Sequence, residues 1–410
     1  MKTKTALFLA GATALAALGP AFADEKPKVE VLTSWTSGGE AAALGVIRSA
    51  FEKRGGDWKD SSIAGFGAAD ASFQNRIVAG DPPGGHQIVI GRPSDDFVKQ
   101  GLLAPIDDVA KAGKWDQVLA KSVYDLISFD GKTYMAPTGA HGESWIFYRK
   151  DAFAKAGIAG EPATWEEFFA ALDKLKAAGI QPVAWGGQSW QEAKVFNMIL
   201  LSQVGIEGFL KIYLEKDKSA ASVGGIQKTL TILSKLRGYV DEGAPGRNWN
   251  DATAMVINGK AGVQFMGDWA KGEFTVAGLE AGKDYGCMLA PQSPGMVYVA
   301  DSFSFPKLAA DGATPAQKLL AEVVMDPKVQ LDFAIKKGAI PMRSDVDKSS
   351  LDVCAQKGLT LMSEGKIVPD QAIILTPQQA GALSDFVDEF WTNTSEDPAA
   401  GAEAFYGIFG

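Results

Sequence analysis

The segment Val29–Lys53, VEVLTSWTSGGEAAALGVIRSAFEK, combines a short apolar strand, a polar loop and an amphipathic helix. Its first four residues are predicted to form a buried strand. Glu40–Lys53 is predicted to form a helix, because Leu44, Ile47 and Phe51 recur at helical spacing. The polar loop between the two therefore leads from the end of a strand directly into a helix.

The same strand–helix alternation continues to about residue 100. Alternation of this kind predicts a parallel sheet covered by helices, an α/β fold. Ligands of such sheets bind beyond the carboxyl ends of the strands. The further predicted elements are a strand at Ile63–Phe66, a helix at Ala69–Val78, a strand at Gln87–Ile90 and a helix at Asp95–Gln100. The segments predicted to border a ligand are Ser34–Glu40, Gly67–Asp70 and Gly91–Ser94.

Helical patterns dominate from about residue 140 onward. Thr164-Trp165-Glu166-Glu167 has the form of a capping box that begins a helix. Later helices are predicted at Ala193–Gln203, Gly225–Val240 and Ala252–Asn258, and a strand at Val297–Phe305. Because no repeat, low-complexity segment or long linker divides the chain, we expect two lobes between which the chain crosses several times, rather than two tandem domains.

The first 23 residues have the pattern of a secretory signal peptide. Lys2 and Lys4 precede the apolar run Ala6–Leu18, and Ala21-Phe22-Ala23 has the small-x-small form of a cleavage site. We therefore expect a mature chain of Asp24–Gly410 that is exported to the periplasm.

Charge and cysteine content limit the partners and the chemistry. The formal net charge of −9 makes nucleic acid a poor partner. Cys287 and Cys354 can pair in an oxidising compartment and would close a long loop. Two buried free thiols are the alternative, because sequence does not show that the two cysteines come close.

The residues of an enzyme are sparse. The two histidines, His86 and His141, form no metal motif, and no nucleophile or phosphate-loop motif occurs. Glu40, Asp268 and Asp301 could serve as the paired carboxylates of a secreted glycoside hydrolase or lyase. Among 49 acidic residues no spacing singles out such a pair. We therefore predict a binding protein without a cofactor, and keep the hydrolase or lyase as the alternative.

Two tryptophans each lie beside a short acid or amide, in Trp249-Asn250-Asp251 and Gly267-Asp268-Trp269. An aromatic ring beside a carboxylate suits a sugar, whose C–H face packs on the ring while its hydroxyls donate to the oxygens. For a single Trp, core packing would be the better interpretation. Two such pairs at the ends of one helix–turn–strand unit favour a ligand site.

Other candidates lie in the predicted cleft loops. Trp35 and Glu40 follow the first strand, Arg92 follows the third, and His141 lies where the chain is expected to cross between lobes. Each has a structural alternative: loop packing for Trp35, a helix N-terminal charge for Glu40, a surface ion pair for Arg92 and a structural hydrogen bond for His141.

Several motifs together resemble the solute-binding proteins of carbohydrate ABC importers, and are most similar to the periplasmic glucose/mannose-binding branch. Gly-Asp-Trp-Ala-Lys-Gly-Glu-Phe at 267–274 is the most specific of them. The others are Trp35-Thr-Ser-Gly-Gly-Glu40, Trp249-Asn-Asp-Ala-Thr253, Asp301-Ser-Phe303 and Lys337-Gly-Ala-Ile-Pro341-x-Arg343. The resemblance implies a two-lobe, type II-like periplasmic-binding-protein fold with crossing hinge strands. Lobe 1 would comprise residues 24–138 and 299–345, and lobe 2 residues 139–298 and 346–410.

The resemblance also implies roles for individual residues. Trp35 and Trp269 would contact a sugar, and Glu40, Asp301 and Lys337 would bind its hydroxyls, with His141 as a further contact. The implied partners are a mono- or small saccharide, glucose- or mannose-like, and the transmembrane subunits of the importer. A sensor that presents bound sugar to a chemoreceptor would need the same pocket.

Three positions depart from the pattern of this branch. Ser34 stands where a second aromatic residue often precedes Trp35, and Arg92 stands where lysine is common. Thr376-Pro-Gln-Gln379 occupies a region that often carries a histidine. The donor set and the shape of the pocket are therefore expected to differ, which leaves the identity of the sugar open.

Overall fold

The computed structural model describes residues 26–310 and 312–409, with only the backbone of Arg92 and Pro93. The predicted signal peptide, residues 1–23, lies outside this range. The strands are β1 Lys28–Leu32, β2 Asp57–Asp60, β3 Gly85–Val89, β4 Ser128–Phe129, β5 Lys132–Thr133, β6 Met135–Gly142, β7 Trp145–Arg149, β8 Gln181–Val183, β9 Ala261–Met266, β10 Tyr285–Met288, β11 Met296–Ser304 and β12 Ile367–Pro369.

Helices cover both sheets and account for most of the remaining chain. They are α1 Gly38–Lys53, α2 Phe66–Val78, α3 Arg92–Lys99, α4 Asp107–Ala112, α5 Trp115–Val118, α6 Lys121–Leu126, α7 Lys150–Lys155, α8 Trp165–Ala177, α9 Ser189–Leu210, α10 Ala220–Leu236, α11 Trp249–Ile257, α12 Ala270–Val276, α13 Pro315–Val324, α14 Pro327–Lys337, α15 Val353–Ser363, α16 Gln371–Ile374, α17 Pro377–Thr392 and α18 Pro398–Ala404.

The first sheet has the strand order β12-β11-β3-β1-β2, and β6 pairs with β11. β1 is parallel to both β2 and β3, as the strand–helix alternation predicts. β11 runs antiparallel to β3 and to β6. The second sheet has the order β10-β7-β9-β8, in which β8 and β9 are parallel and the other pairs are antiparallel.

Each sheet is packed into its own apolar core, which divides the molecule into two lobes. We call the part packed around β1, β2 and β3 lobe 1 and the part packed around the second sheet lobe 2; β12 pairs with β11 but packs into the core of lobe 2 through Val368. Strand β11 passes between them: Phe303 lies in the core of lobe 1, whereas Val297 lies in the core of lobe 2. Along β7, Ile146 and Phe147 point to opposite faces of the second sheet, so both faces of that sheet are covered.

One predicted strand was wrong. Residues 61–65 form no strand, and the edge strand lies earlier, at Asp57–Asp60, paired with β1. Its sequence, Asp-Trp-Lys-Asp, is mostly exposed and therefore lacks the apolar pattern of a buried strand. As a consequence Gly67–Asp70, which was predicted to follow a strand, lies inside α2.

The segment Ser189–Glu215 is long and apolar enough to cross a membrane by length and composition alone. Its buried residues include Phe196, Ile199 and Leu200, which belong to the core of lobe 2. Burial inside lobe 2 therefore accounts for the composition of this helix.

The two cysteines are paired, which confirms the predicted disulfide. Cys287 on β10 and Cys354 on α15 are joined across 67 residues, with Cα atoms 6.0 Å apart. Both side chains are buried against the second sheet. The bridge thus ties α15 to the edge of the sheet.

We expect removal of this bridge to destabilise the protein without changing its fold. A bridge that closes a long loop restricts the unfolded chain, and its loss typically costs about 3 kcal/mol. Urea unfolding of the Cys287→Ala/Cys354→Ala double variant, compared with the oxidised wild type, measures the loss. Equal unfolding midpoints, or two free thiols in the denatured, unreduced wild type, would contradict the pairing.

Candidate functional site

The loop after β1 is fixed by its own side chains. Ser37 caps α1, and its hydroxyl accepts from the backbone N–H of Glu40. The Glu40 carboxylate accepts in turn from the backbone N–H groups of Thr36 and Ser37. Its other oxygen lies 3.0 Å from Lys337 Nζ, in a buried ion pair. Glu40 therefore lies at the helix N-terminus, as its alternative predicted, completes a capping box there, and is also paired with a second predicted site residue.

Trp35 is packed inside lobe 1. Its ring lies between Phe303 and Phe333, at centroid distances of 5.7 and 5.3 Å, and only 2 % of the residue is exposed. The ammonium group of Lys337 lies 5.4 Å from its centroid. In this conformation Trp35 is a core residue that supports Lys337 and presents little surface to a ligand.

His141 lies between two carboxylates. It is buried on β6, with Nδ1 2.6 Å from Asp268 Oδ1 and Nε2 3.5 Å from Asp301 Oδ2. The second distance is too long for a well-formed hydrogen bond, and Nε2 has no hydrogen-bond partner among the described residues. Asp301 lies on β11, which pairs directly with β6, whereas Asp268 follows β9 in lobe 2. The three residues therefore connect the crossing strands to lobe 2.

This arrangement favours a charged imidazole. Burial lowers the pKa of His141, but the nearby carboxylates of Asp268 and Asp301 outweigh it and raise the pKa to about 8. Burial raises the pKa of Asp301, whereas His141 and Lys337 together hold it below its ordinary value. A buried cation is thus stabilised between two anions.

Asp268 is fully engaged by the protein. Its Oδ1 contacts His141, and its Oδ2 accepts from the backbone N–H of Gly142 at 2.9 Å. The Asp268 backbone N–H also donates to the Gly142 carbonyl. Asp268 therefore holds the loop after β9 to the end of β6, and its carboxylate is less available to a ligand than that of Asp301.

Trp269 stays partly exposed, as Trp249 does, whereas Trp35 is buried. The Trp269 ring folds over Gly267, where an added Cβ would collide with it, and meets His141 at 5.8 Å in an edge-on contact. Trp249 is also partly buried, at the start of α11, against the same core. Both rings pack against the core that contains Phe147 and Phe274.

One aromatic residue that lies here, Trp190, was not predicted from the sequence as a site residue. Trp190 begins α9, is partly buried, and lies 6.4 Å from Trp269 between ring centroids. Its signal was the segment Gly186-Gly-Gln-Ser-Trp190, a glycine-rich loop that follows a strand and opens a helix, as the loop before α1 does.

Two of the positions that depart from the family pattern are Ser34 and Arg92. Ser34 donates through its backbone N–H and its hydroxyl to Gln87 Oε1, at 2.8 and 3.0 Å. Gln87 in turn contributes to the low pKa of Asp301. Ser34 thus positions an amide beside the predicted site. For Arg92 the structure gives a backbone position at the start of α3.

The two lobes touch backbone to backbone beside these residues. A Cβ added to Gly39 at the start of α1 would come within 2.5 Å of the backbone of Gly272 in α12. The Glu273 carboxylate accepts from the Gly39 N–H at 2.6 Å, and Gly338, with φ +85°, abuts the Asp268 carbonyl. Glycine is required here because any side chain would separate the lobes.

A second buried polar cluster lies at the ends of the crossing strands, and sequence reasoning missed it. Lys194 on α9 contacts Glu143, which follows β6, at 2.6 Å and Asp370, which follows β12, at 3.0 Å. No motif marks these residues, since they are 51 and 176 positions from Lys194 in the chain and meet only through folding.

Comparison with known proteins agrees with this architecture. The family model for bacterial extracellular solute-binding proteins matches residues 9–326. A probable sugar-binding periplasmic protein of Brucella suis biovar 1 is 40 % identical over 363 residues, covering 88 % of this chain and 85 % of that protein.

Solved structures share the fold at low sequence identity. A chitin oligosaccharide binding protein superposes with a TM-score of 0.77 at 20 % identity, covering 93 % of this chain and 97 % of its own. A bacterial solute receptor described as preferring β-D-galactopyranose gives a TM-score of 0.76 at 21 % identity, with the same coverage. These likenesses confirm the predicted two-lobe α/β fold. The extent of the family match and the identity to the Brucella protein show that this chain belongs to the bacterial extracellular solute-binding protein family.

Proposed function

We propose that this protein is the periplasmic component of an ABC importer, and that it captures a small carbohydrate between its two lobes. One observation carries the proposal: Trp269, His141, Asp301, Lys337 and Glu40 form a continuous series of contacts and charges that runs from lobe 2 across the crossing strands into lobe 1. The names of relatives, including the Brucella protein, agree with a sugar as the ligand.

The chemistry of this series suits a sugar. Trp269 offers an apolar ring to the C–H face, while Asp301 accepts from hydroxyls and Lys337 donates to them. Each hydrogen bond contributes about 0.5–1.5 kcal/mol, and more when one partner is charged. A sugar with one hydroxyl inverted would leave a buried charge unpaired, so the site can discriminate strongly between epimers.

The ligand we propose is a glucose- or mannose-like aldose or a small saccharide built from one. Glu40, Asp301 and Lys337 support this class, because the motifs that contain them resemble those of the glucose/mannose-binding branch. Ser34 and Gln87 supply an amide where that branch often has an aromatic ring, which favours a pocket with a different donor set.

Import also requires a partner that distinguishes the sugar-bound protein from the empty one. We propose that the lobes, with boundaries at 24–138 and 299–345 for lobe 1 and 139–298 and 346–410 for lobe 2, close about β6 and β11. The sugar drives closure to the extent that it binds the closed state better. The transmembrane subunits of the importer would then bind the closed surface.

Membership of a family of binding proteins places the chain among transport components and not among enzymes. The three carboxylates considered for hydrolysis agree with this. Glu40 is paired with Lys337, and Asp268 and Asp301 flank His141. Carboxylates held by cations in this way are suited to accepting hydroxyl hydrogen bonds.

A thermal-shift panel tests the proposal without a prior choice of ligand. A ligand that binds the folded state raises the melting temperature by mass action. The panel comprises aldoses, deoxysugars, sugar acids and disaccharides, with amino acids as a non-carbohydrate control, and isothermal titration calorimetry then measures each positive ligand. We expect one or a few related sugars to raise the melting temperature. No shift with any sugar, or a shift with an amino acid alone, would contradict the proposed function.

A further inference from the structure

We propose that Trp190 is the platform for a second sugar ring, so that the ligand extends from Trp269 along α9 and is at least a disaccharide. The inference rests on the proposed function and deepens it, because it names the size class of the ligand. Trp190 does not belong to the series that runs from Trp269 to Glu40, which we take as the binding position of the first sugar ring.

The topology places Trp190 at the interlobe edge of lobe 2. β8 and β9 are parallel, so the loops that follow them emerge at the same edge of the second sheet. Trp190 follows β8, and Trp269 follows β9. The β9 loop abuts lobe 1 at Gly338, so this edge faces lobe 1.

The orientation of the Trp190 ring suits a separate sugar ring. Its centroid is 6.4 Å from that of Trp269, and the two planes are inclined by 43°, so the rings do not stack on each other. The indole N–H donates to Gln188 Oε1, and Gln188 donates to Asn248 Oδ1. These bonds hold the indole edge, and the ring stays partly exposed while it packs against the same core as Trp269.

Polar partners for a second ring lie one helical turn farther along α9. Lys194 is four residues after Trp190, hence on the same side of the helix. It contacts Glu143 and Asp370. Both carboxyl side chains are buried, and a hydrogen bond between them contributes to the pKa shifts of Glu143 and Asp370.

This cluster can both donate and accept. Burial, reinforced by Asp370, raises the pKa of the Glu143 carboxyl well above its ordinary value, so Glu143 can hold a proton. Lys194 has three N–H donors and contacts two carboxyl groups. An aromatic ring near a cation with two carboxyl partners repeats the combination formed by Trp269, His141, Asp268 and Asp301.

Calorimetry with matched sugars tests the second position. The probes are glucose, mannose and xylose together with maltose, cellobiose, mannobiose and xylobiose. We expect at least one disaccharide to bind the wild type about tenfold more tightly than its constituent monosaccharide. Trp190→Ala should remove that advantage, with an affinity for the disaccharide about tenfold weaker and an affinity for the monosaccharide within about twofold of wild type.

Two further variants keep the test decisive. Trp58→Ala removes a partly buried indole from the edge strand of lobe 1, and should change neither affinity. Trp190→Leu keeps apolar volume without the aromatic face, and replaces Trp190→Ala if that variant does not fold.

The outcomes separate this inference from the proposed function. Binding of monosaccharides with no gain from a second ring, or an equal effect of Trp190→Ala on both sugar sizes, overturns the second position and leaves the proposed function intact. An unchanged disaccharide affinity in both Trp190 variants also overturns it. Failure of every sugar to bind the wild type overturns the proposed function itself.

Discussion

Replacing Trp269 by alanine is expected to weaken sugar binding by about 100-fold, which corresponds to about 2.7 kcal/mol. The Trp269 ring is partly exposed at the proposed position of the first sugar ring, and its centroid lies 5.8 Å from that of His141. Its removal would take away the apolar partner of the sugar while the hydroxyl partners remain. Calorimetric titration with the sugar identified by the thermal-shift panel measures the effect.

The structure of the variant should be preserved. Trp269 lies at the margin of the core beneath the second sheet, so its loss should cost less stability than loss of a fully buried tryptophan. Trp58→Ala serves as the matched control, with wild-type affinity expected. Wild-type affinity in the Trp269 variant would remove this residue from the site, and a far-ultraviolet spectrum unlike that of the wild type would show that folding, not contact, was lost.

Replacing Asp268 by alanine is expected to lower the free energy of unfolding by about 4 kcal/mol, because breaking a buried ion pair leaves the remaining charge unpaired. The carboxylate contacts His141 at 2.6 Å and the Gly142 N–H at 2.9 Å. Urea unfolding at pH 6, where the imidazole is protonated, gives the largest difference.

The loss should depend on pH in a defined direction. The pKa of His141 is raised from 6.5 to about 8, so its contribution to stability is fully present below pH 6.5 and is lost as the pH rises through 8. This amounts to about 2 kcal/mol in the wild type. In the Asp268 variant the contribution should be much smaller, so the two stability curves should converge between pH 6.5 and 8.5.

Two further variants identify the cause of the pH dependence of stability. Asp268→Asn retains an acceptor for Gly142 but carries no charge, and should lose the same pH dependence with a smaller loss at pH 8.5. Asp251→Ala removes an exposed carboxylate from the start of α11 and should change stability little. Parallel stability curves for the wild type and Asp268→Ala across this pH range would show that His141 is not charged through Asp268.

Local patterns were sufficient for much of the fold. The helix at Glu40–Lys53 was predicted from apolar spacing and is observed at Gly38–Lys53, and the strand at Val297–Phe305 is observed at Met296–Ser304. The helix is buried along one face and the strand along nearly its whole length. Burial of either kind imposes an apolar pattern on the sequence. The edge strand Asp57–Asp60 escaped prediction because its exposed side chains carry no such pattern.

The candidate site was predictable only in part. Glu40, Asp301 and Lys337 were selected through motifs, and the structure brings them together with His141. Whether an aromatic residue faces a core or a cleft depends on its neighbours in space. Trp35 and Trp269 both lie in a loop that follows a strand, so the local sequence does not distinguish a core position from a cleft position. Packing by Phe303 and Phe333 buries Trp35, whereas Trp269 stays partly exposed.

The sequence by itself determined the class of fold, and its motifs supplied the resemblance to the family and the candidate residues of the site. The fold class follows from local spacing along the chain, whereas the candidate residues follow from the resemblance to the family. Only the tertiary structure decided which side chains meet. The pairing of His141 with Asp268, the placement of Trp190 beside Trp269, and the meeting of Lys194 with Glu143 and Asp370 join residues far apart in the chain. Contacts of this kind arise from the packing of whole elements against one another, and no local pattern in the sequence encodes them.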